Sequence, residues 1–547
     1  MKVALAQLNY IIGDFERNAA KIIEHIGKAK NAGANLVVFS ELSITGYYPH
    51  DLLEKKEFIR KAEETVKQIA ASCIGIAAIV GAPRINEKEK GKTLYNSAFF
   101  LVDGKIQSVH NKTLLPTYDI FDEYRHFEPN TDFHVVEYKG ERIAVTICED
   151  LWDEQPTANE FGKNKLYRVS PMEELTRLQP DFVVNISASP FSYNQENWRK
   201  DVLVKKAKKY KLSIFYVNQT GAQTELIFDG GSVFINQQGE IVKELKYFEE
   251  DFLMVDTQNP GASKLQPKTD RIEKIHDALV LGIRDYFEKN GFRQATLGLS
   301  GGIDSAVTVV LAVRALGSEN VRVLLLPSKY SSDHSVEDAR QLAENLKIRY
   351  DIVNIQQAVD AFEKELTPLF KGTQPGIAEE NIQARARGIY LMAISNKFGH
   401  ILLNTTNKSE CAVGYGTLYG DMNGGLAVLG DVYKTDVFKM ARFMNREREI
   451  IPENTIVKPP SAELRPDQKD TDSLPEYKIL DEILFSFIEQ NLSPNEIENK
   501  GFDPKTVKKV IRMVNTTEYK RFQAAPILRV SSKAFGFGRK MPLVARY

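Results

Sequence analysis

The feature that most constrains this 547-residue chain is a glycine-rich turn at residues 297–305, which reads Leu-Gly-Leu-Ser-Gly-Gly-Ile-Asp-Ser. The turn joins a short apolar segment, predicted to be a strand at 295–299, to an apolar stretch that predicts a helix at 305–316. Strand-like and helix-like segments alternate between residues 271 and 403, including a predicted strand at 352–355, which indicates a doubly wound sheet of parallel strands. Ligands bind such sheets at the carboxyl ends of the strands, so we expect the turn to line a ligand site.

The residue types in this turn suit the phosphate groups of a nucleotide. Gly301 and Gly302 allow backbone N–H groups to approach an anion, and Ser300 and Ser305 add hydroxyl donors. The helix that follows points its positive end toward the same place. Asp304 can hold a magnesium ion there. An isolated pair of glycines would indicate an ordinary turn, but the whole pattern at a strand-to-helix junction favours a phosphate site.

The order of residues in the turn separates it from other phosphate loops. No lysine follows the second glycine, so the pattern of kinases and GTPases is not met. The Ser-Gly-Gly-x-Asp-Ser order resembles instead the pyrophosphate loop of the ATP pyrophosphatases. That resemblance implies a Rossmann-like fold of the adenine nucleotide alpha hydrolase type. It also implies the reaction of the ATP pyrophosphatases, which split ATP between its α and β phosphates and activate a substrate as its adenylate. The ATP-binding positions that it implies are Gly298, Leu299, Ser300, Gly301, Gly302, Ile303, Asp304 and Ser305.

Composition argues against several other classes of function. The chain has 72 Lys and Arg residues against 73 Asp and Glu, so its formal net charge of −1 gives no overall field that attracts nucleic acid or an anionic membrane. No apolar run is long enough to span a bilayer, and the amino terminus lacks the apolar core of a secretory signal. Three scattered cysteines are too few for a disulfide framework. We therefore expect a cytoplasmic protein whose partners are small molecules.

The first 256 residues alternate β-rich runs with amphipathic stretches, which predicts a layered α/β domain. Glu41, Lys112 and Cys148 each follow a predicted strand, and strand ends converge at one edge of a sheet, so we expect the three to meet. A thiol that attacks a carbonyl, a carboxylate that moves the proton and an ammonium that stabilises the oxyanion form an acyl-transfer site. Taken singly, each residue would be interpreted as a surface charge or a core cysteine.

The sequences around these three residues decide between the two interpretations. Glu41 begins Glu-Leu-Ser-Ile-Thr-Gly-Tyr, Lys112 begins Lys-Thr-Leu-Leu-Pro-Thr-Tyr, and Cys148 begins Cys-Glu-Asp-Leu-Trp. Over residues 1–256 this resembles the nitrilase superfamily in its glutamine-amidase branch, with the three blocks in family order. The resemblance implies a nitrilase-like α-β-β-α sandwich that releases ammonia from glutamine through a thioester on the cysteine. The glutamine-binding positions that it implies are Tyr118, Glu149, Ser189 and Gln195, the last of which stands where relatives often carry a basic residue.

A polar segment at 257–270, rich in turn formers, predicts a linker between a domain at 1–256 and a second domain at 271–547. In the second domain, blocks at 381–387, 404–410, 420–425 and 430–435 supply amides, hydroxyls and charged groups. Each block alone would indicate a capped loop or a solvated helix face. Together with residues 459–464 and 518–521 they are similar to the NAD synthetases that are fused to a glutamine amidase, and this resemblance spans essentially the whole chain.

This second resemblance implies a reaction and its ligands. The nicotinate carboxylate of deamido-NAD attacks the α-phosphorus of ATP, and ammonia that reaches the adenylate through a protected passage displaces AMP to form NAD. The family implies Mg²⁺ as cofactor and a homo-oligomer assembled through the synthetase domains. Further ATP-binding positions are Thr405, Lys434 and Ser461, the metal-binding positions are Asp304 and Glu410, and the deamido-NAD positions are Asn381, Glu410 and Lys520.

Two alternatives fit the sequence less well. Another ATP-dependent amidotransferase, one that makes GMP or a modified tRNA, would use a different glutaminase module, and the chain has no basic stripe for RNA. A nucleotide-binding protein that kept the folds but lost catalysis should have lost at least one reactive side chain. The residues that argue against such a loss are Glu41, Lys112, Cys148, Ser300, Asp304 and Glu410.

Overall fold

The computed structural model of the chain describes residues 1–154, 166–466 and 468–545. The chain divides into two compact units, residues 1–268 and 269–547. Within the described ranges, no helix is both long and apolar enough to cross a membrane. The cysteines form no disulfide, and all are buried: Cys73, Cys148 and Cys411.

Two six-stranded sheets form the centre of the first unit. From edge to edge, the strands of the first sheet are Asp251–Asp256, Lys2–Gln7, Leu36–Val38, Ala77–Ile85, Leu94–Val102 and Lys105–Asn111. Those of the second sheet are Ile241–Glu244, Val233–Ile235, Ser213–Asn218, Phe182–Ser187, Glu141–Ile147 and Val136–Tyr138. A separate two-stranded ribbon pairs Thr220–Gln223 with Leu226–Asp229.

Helices cover the outer face of each sheet of the first unit. Alternate residues of a strand point to opposite faces, so Val3 and Leu5 pack against residues of the second sheet, such as Val184. Ala4 and Ala6 point the other way and pack against a helix. The helices of this unit are Phe15–Asn31 and Lys56–Ser72 on the first sheet, and Pro171–Thr176 and Gln195–Tyr210 on the second. The layers are therefore helix, sheet, sheet and helix, as the resemblance to the nitrilase superfamily implies.

The second unit contains one five-stranded sheet in which every pair of neighbours is parallel. Its strands, from edge to edge, are Arg349–Ile352, Val321–Leu325, Ala295–Gly298, Ile401–Asn404 and Leu426–Ala427. The chain adds strands outward in one direction and then in the other, so the order reverses between the strands that end at Gly298 and Asn404. Loops that follow these two strands diverge and leave a crevice, which is the usual ligand site of such sheets.

Helices surround this sheet, and a helical cluster follows it in sequence. The helices of the second unit are Arg271–Asn290, Ile303–Leu316, Asp333–Leu346, Gln356–Leu366, Ile377–Phe398, Lys408–Val413, Lys434–Met444, Glu453–Val457, Tyr477–Ile488, Pro494–Asn499, Pro504–Thr516 and Glu518–Arg521. Asp270 caps the first of them by accepting from the N–H groups of Ile272 and Glu273. The doubly wound parallel sheet confirms the predicted fold class.

Three predicted boundaries differ from the structure, and the smallest difference is at the strand predicted at 295–299, which ends at Gly298. The helix predicted at 305–316 begins at Ile303, because the turn is already helical there. The strand predicted at 352–355 is wrong: the strand is Arg349–Ile352, which pairs with Val321–Leu325. The apolar residues after Ile352 belong instead to the connection between this strand and the helix Gln356–Leu366. Ile355, the residue directly before that helix, is fully buried.

Candidate active sites

A buried ammonium joins two carboxylates in the first unit. The Nζ atom of Lys112 lies 2.7 Å from Oε1 of Glu41 and 2.8 Å from Oε1 of Glu123. All three side chains are almost completely buried. Asn96 donates to the same Glu41 oxygen at 2.7 Å, and the backbone N–H of Ala188 donates to the other oxygen at 3.0 Å. With three donors, the Glu41 carboxylate is held in a fixed orientation.

Cys148 lies beside this cluster on a sharp turn. Glu41 and Lys112 follow strands of the first sheet, whereas Cys148 directly follows Glu141–Ile147 of the facing sheet. The expectation that all three strands share one sheet edge is therefore wrong, and the site forms between the sheets. Cys148 has a φ of 44°, a left-handed conformation that a non-glycine residue adopts only when its surroundings enforce it.

The carboxylate of Asp150 fixes this turn. Its Oδ1 accepts from the backbone N–H groups of Thr113 and Leu114, both at 2.9 Å, and its Oδ2 accepts from the N–H of Ile147 at 3.0 Å. One buried carboxylate thus joins the loop that follows Lys112 to the turn that carries Cys148. Burial raises the pKa of Asp150 to about 7.

The charges around Cys148 favour its neutral thiol in the free protein. Burial and the negative charge of Glu41 raise the pKa of Cys148 well above its usual range, and Lys112 opposes them only in part. Burial also raises the pKa of Glu123, to about 7, although Lys112 lowers it. A thiol in this setting needs a base at the moment of attack, and Glu41 is the carboxylate whose charge acts most strongly on Cys148.

Two tyrosines converge on one of the predicted glutamine-binding residues. The hydroxyl of Tyr118 lies 2.9 Å and 3.1 Å from the two oxygens of Glu149, and the hydroxyl of Tyr167 donates to Oε1 at 2.8 Å. Burial raises the pKa of Glu149. The predicted Ser189 is buried and lies just after the strand Phe182–Ser187 of the second sheet. Its backbone N–H donates to Oδ1 of Asn218 at 2.8 Å.

The predicted Gln195 begins the helix Gln195–Tyr210 and is partly exposed. Arg199, one turn further along, is buried and engaged. Its guanidinium donates to both oxygens of Asp229, at 2.9 Å and 2.8 Å. Arg199 is therefore a structural partner of Asp229, because a buried bidentate pair leaves it no freedom to reach a substrate carboxylate.

The second unit has a cavity of about 310 Å³ at the point where its strand order reverses. Arg387, Asn404 and Glu463 line it together with most of the predicted nucleotide positions. The predicted positions that line it are Gly298, Leu299, Ser300, Gly302, Ile303, Asp304, Ser305, Thr405, Glu410, Lys434 and Ser461. This cavity therefore brings together residues that lie between Gly298 and Asp470 in the sequence.

Gly301 shapes the loop from outside the cavity. It has a φ of +78°, and a Cβ atom there would lie 2.2 Å from the backbone oxygen of Ser335. Only glycine fits a left-handed position packed this closely. Within the loop, Ser300 Oγ accepts from the N–H of Gly302 at 3.2 Å, and Ser305 Oγ accepts from the N–H of Ser300 at 3.2 Å.

A second buried lysine lies between two carboxylates at this cavity. The Nζ atom of Lys434 is 2.5 Å from Oδ2 of Asp304 and 3.1 Å from Oε1 of Glu410. Asn407 donates to the other oxygen of Asp304 at 2.9 Å. Burial raises the pKa of Glu410 to about 8, while the carboxylates beside Lys434 raise the pKa of that lysine against its own desolvation.

Two of the predicted deamido-NAD positions lie outside the lining of this cavity. Asn381 accepts a hydrogen bond from Thr417 at 2.6 Å, and Lys520 donates to the carbonyl oxygens of Gly414 and Gly416 at 2.8 Å and 2.7 Å. Both residues thus hold the loop at 414–417. The third predicted position, Glu410, lines the cavity itself.

Sequence reasoning missed several residues of the first site. Glu123, Asn96 and Tyr167 touch the predicted residues directly, at Lys112, Glu41 and Glu149 respectively. Glu123 begins the one-turn helix Glu123–Arg125 and Tyr167 lies in a loop, and segments this short show no periodicity, whereas Asn96 lies within a strand. Of these three residues, only Asn96 has a signal in the sequence: its amide lies within an apolar run, and a buried amide needs a hydrogen-bond partner.

Two family models match the chain. The model for carbon-nitrogen hydrolase matches residues 2–264, and the model for NAD synthase matches residues 275–524. The chain is 45% identical to a glutamine-dependent NAD(+) synthetase of Synechocystis over 100% of the chain and 99% of the relative. It is 42% identical to the protein of that name from Thermotoga maritima, again over 100% of the chain and 99% of the relative.

A solved structure agrees with these relatives. Glutamine-dependent NAD+ synthetase from Acinetobacter baumannii, in complex with adenosine diphosphate, is 40% identical with a TM-score of 0.78, and the match covers 99% of this chain and 98% of that one. The identity over the full length, the paired family models and the two sites described above agree. The chain belongs to the family of glutamine-dependent NAD(+) synthetases, which are ligases that combine a carbon-nitrogen hydrolase domain with an NAD synthase domain.

Proposed function

We propose that this chain amidates deamido-NAD to NAD, with residues 1–256 acting as glutaminase, residues 271–547 as synthetase and 257–270 as the linker. What carries the proposal is that one chain contains both a cysteine held beside a buried Glu41–Lys112 pair and a phosphate loop at a cavity. The first supplies ammonia and the second consumes it.

In the glutaminase, Glu41 takes the proton of Cys148 as the sulfur attacks the side-chain amide carbon of glutamine. The Lys112 ammonium stabilises the oxyanion, and Glu41 returns the proton to the departing nitrogen, which leaves as ammonia. Water then hydrolyses the thioester, with Glu41 as its base, and releases glutamate. Glu149, oriented by the hydroxyls of Tyr118 and Tyr167, is suited to bind the substrate's ammonium group.

In the synthetase, the loop at 298–305 binds the phosphates of ATP. The deamido-NAD carboxylate attacks the α-phosphorus, pyrophosphate leaves, and ammonia then attacks the adenylate carbonyl carbon to release AMP. The chain supplies positioning and positive charge, from the loop N–H groups, Lys434 and the start of the helix Ile303–Leu316. Thr405 and Ser461 line the same cavity and are proposed to contact ATP. Glu410, which also lines it, is proposed to contact deamido-NAD together with Asn381 and Lys520, which hold the loop at 414–417.

The residues at this cavity suit Mg²⁺, which we propose as cofactor. Asp304 and Glu410 both face the cavity and share one ammonium, and Mg²⁺ in nucleotide sites is commonly held by one or two carboxylates and by substrate phosphates. Bound there, the ion would neutralise phosphate charge. Because Lys434 now contacts both carboxylates, its ammonium group would have to move away from Asp304 and Glu410 for the ion to bind.

Isotope transfer tests the proposed function. We expect the purified chain, given deamido-NAD, ATP, Mg²⁺ and glutamine labelled with ¹⁵N in its side-chain amide, to form NAD that carries the label, as measured by mass spectrometry. AMP and pyrophosphate should appear in amounts equal to the NAD. Formation of ADP and phosphate, or of no labelled NAD, would contradict the proposal.

We also propose that the chain forms a homo-oligomer through its synthetase domains, as the family resemblance implies. Light scattering of the full chain and of residues 271–547 gives the test. Both should have masses of the same multiple of their monomers, and a monomeric full chain would contradict the proposal.

A further inference from the structure

Three side chains of metal-binding type meet in the first unit, outside the groups that the proposed reaction uses. Asp51 and Glu54 lie on the short helix His50–Glu54, and His126 follows the short helix Glu123–Arg125. One oxygen of each carboxylate and one ring nitrogen of the histidine all lie within 4.8 Å of one another. The two acids are exposed, whereas the histidine is buried.

The buried nitrogen is the observation that points to a ligand. The side chain of His126 is 6% exposed, and its Nε2 atom has no hydrogen-bond partner among the described residues. Nε2 faces Oδ1 of Asp51 at 3.5 Å and Oε1 of Glu54 at 3.8 Å, which is too far for good hydrogen bonds. Two ligand atoms on a tetrahedral metal ion, each bonded at about 2.1 Å, are roughly 3.4 Å apart. The spacing therefore suits a shared metal ion better than a direct contact.

The other ring nitrogen is oriented as metal-binding histidines require. Nδ1 of His126 lies 2.7 Å from the hydroxyl oxygen of Tyr48, and that hydroxyl can donate to the carbonyl oxygen of Asp122 at 3.4 Å. With Tyr48 donating to the carbonyl, Nδ1 carries the ring proton and donates to Tyr48. Nε2 then presents its lone pair toward the two carboxylates, which is the arrangement that outer hydrogen bonds produce in metal sites.

We propose that Asp51, Glu54 and His126 bind a divalent transition-metal ion, with Zn²⁺ as its representative and water completing the coordination. One imidazole nitrogen with two carboxylate oxygens suits zinc-like ions better than Mg²⁺ or Ca²⁺, which prefer oxygen alone. The charge of the acids is met in the structure by Arg125, whose Nη2 lies 3.0 Å from Asp51 and 3.7 Å from Glu54. Arg125 is half exposed, so it can turn into solvent when a metal ion binds.

The position of this site gives the ion a consequence for the glutaminase. The backbone N–H of His126 donates to the carbonyl oxygen of Glu123 at 3.1 Å, and the Glu123 side chain holds Lys112. Tyr48, which orients the ring, follows Tyr47, whose hydroxyl donates to Glu123 at 2.7 Å. A bound ion would therefore tie the helix His50–Glu54 to the segment that carries Glu123.

Metal titration of the full chain tests this site. All proteins carry Cys148→Ala, because a reactive thiol also binds zinc, and all are freed of metal before Zn²⁺ is added in a calorimeter. We expect one Zn²⁺ per chain, and a loss of affinity of about tenfold or more in His126→Gln and in the double variant Asp51→Asn/Glu54→Gln. Tyr48→Phe should weaken binding by about tenfold, and Arg125→Gln should tighten it because a competing cation is removed.

The control is His134→Gln, which removes an exposed histidine near Asp132. It should bind Zn²⁺ as the parent does. The double variant changes only exposed side chains and therefore serves if His126→Gln fails to fold. Co²⁺, added in place of Zn²⁺, should give visible absorption bands that the double variant lacks. A parent that binds no Zn²⁺, or ligand variants that bind it as tightly as the parent, would overturn the proposal.

Discussion

Each candidate active site contains a buried lysine between two carboxylates, and the two lysines differ in what surrounds them. At Lys112 the partners Glu41 and Glu123 are 0% and 1% exposed, and further donors hold Glu41 in place. At Lys434 the partners Asp304 and Glu410 are 17% and 16% exposed and face a cavity of about 310 Å³.

This difference separates a preformed site from one that must rearrange. In the proposed function, the first site moves a proton and stabilises a small oxyanion, and fixed dipoles in a buried site do this without reorganisation. In the same proposal, the second site admits a nucleotide with several negative charges, so its ammonium and carboxylates would exchange partners as the ligands bind. The comparison shows that a lysine between two carboxylates can be fully enclosed and fixed by further donors, as at Lys112, or partly open to a cavity, as at Lys434.

Removing each lysine in turn should give the largest difference between the sites. Lys112→Ala leaves two enclosed carboxylates without their cation, so we expect about 3–5 kcal/mol less stability and roughly a 10³-fold loss of glutamate release. Lys434→Ala should abolish ammonium-dependent NAD formation but cost only about 1–3 kcal/mol, because its carboxylates can be hydrated. Thermal unfolding and the two assays measure these effects.

The exposed Lys105→Ala, at the start of the strand Lys105–Asn111, is the control and should change neither quantity. Equal losses of stability in Lys112→Ala and Lys434→Ala would contradict the expected difference between the two sites, because that difference rests on the unequal exposure of the carboxylates that contact each lysine.

A pair of glycine variants tests whether the phosphate loop is fixed by its packing. Gly301→Ala places a Cβ atom 2.2 Å from the Ser335 oxygen at a φ of +78°, so we expect about 1–3 kcal/mol less stability and roughly a 100-fold loss of ammonium-dependent NAD formation. In Gly302→Ala the nearest contact is Ser300 Oγ at 3.2 Å and φ is −83°, so its stability should fall less. Glutamate release should be unchanged in both, and identical unfolding curves for the two would refute the packing argument.

The smallest effect concerns pH at the preformed site. Burial raises the pKa of Glu123 from 4.5 to about 7, so its carboxylate form is disfavoured in the fold. Glutamate release should therefore fall as pH decreases through about 7, where Glu123 takes up a proton and loosens its hold on Lys112. Glu123→Gln should be about tenfold slower at high pH and lose this dependence.

The stability of the wild type should respond in the opposite direction. Since the folded pKa is raised, Glu123 binds more protons in the fold than when unfolded, and stability should decrease as pH rises from about 4.5 to about 7. Glu123→Gln should lack this part of the slope, and the exposed Glu137→Gln should keep it. A variant of Glu123 with the wild-type pH profile would show that its ionisation is irrelevant.

The sequence predicts the fold where patterns are local. Buried strands such as Val321–Leu325 stand out as apolar runs, and the alternation with helices gives the parallel sheet. The resemblance to two families supplies the remainder of the architecture. The sequence does not reveal that Glu41 and Cys148 come from facing sheets, because spacing along a chain carries no information about which sheet a strand joins.

Candidate residues are predictable where they follow strands or belong to a family block. Lys434 and Glu410 are found in this way, but their joint contact with Asp304 is a property of the tertiary structure. Glu123 and His126 belong to no element longer than one turn, and their roles depend on partners more than ten residues away. Such long-range polar contacts leave no periodic pattern in the sequence, so they can be identified only from the folded structure.

The most direct test of two separable sites is the choice of nitrogen donor in Cys148→Ala. NAD formation from deamido-NAD, ATP and Mg²⁺ is measured with glutamine and with ammonium, for this variant and for the wild type. We predict that the variant loses the glutamine reaction and retains the ammonium reaction at nearly the wild-type rate. Loss of both reactions would contradict the independence of the two sites, and survival of both would contradict Cys148 as the nucleophile.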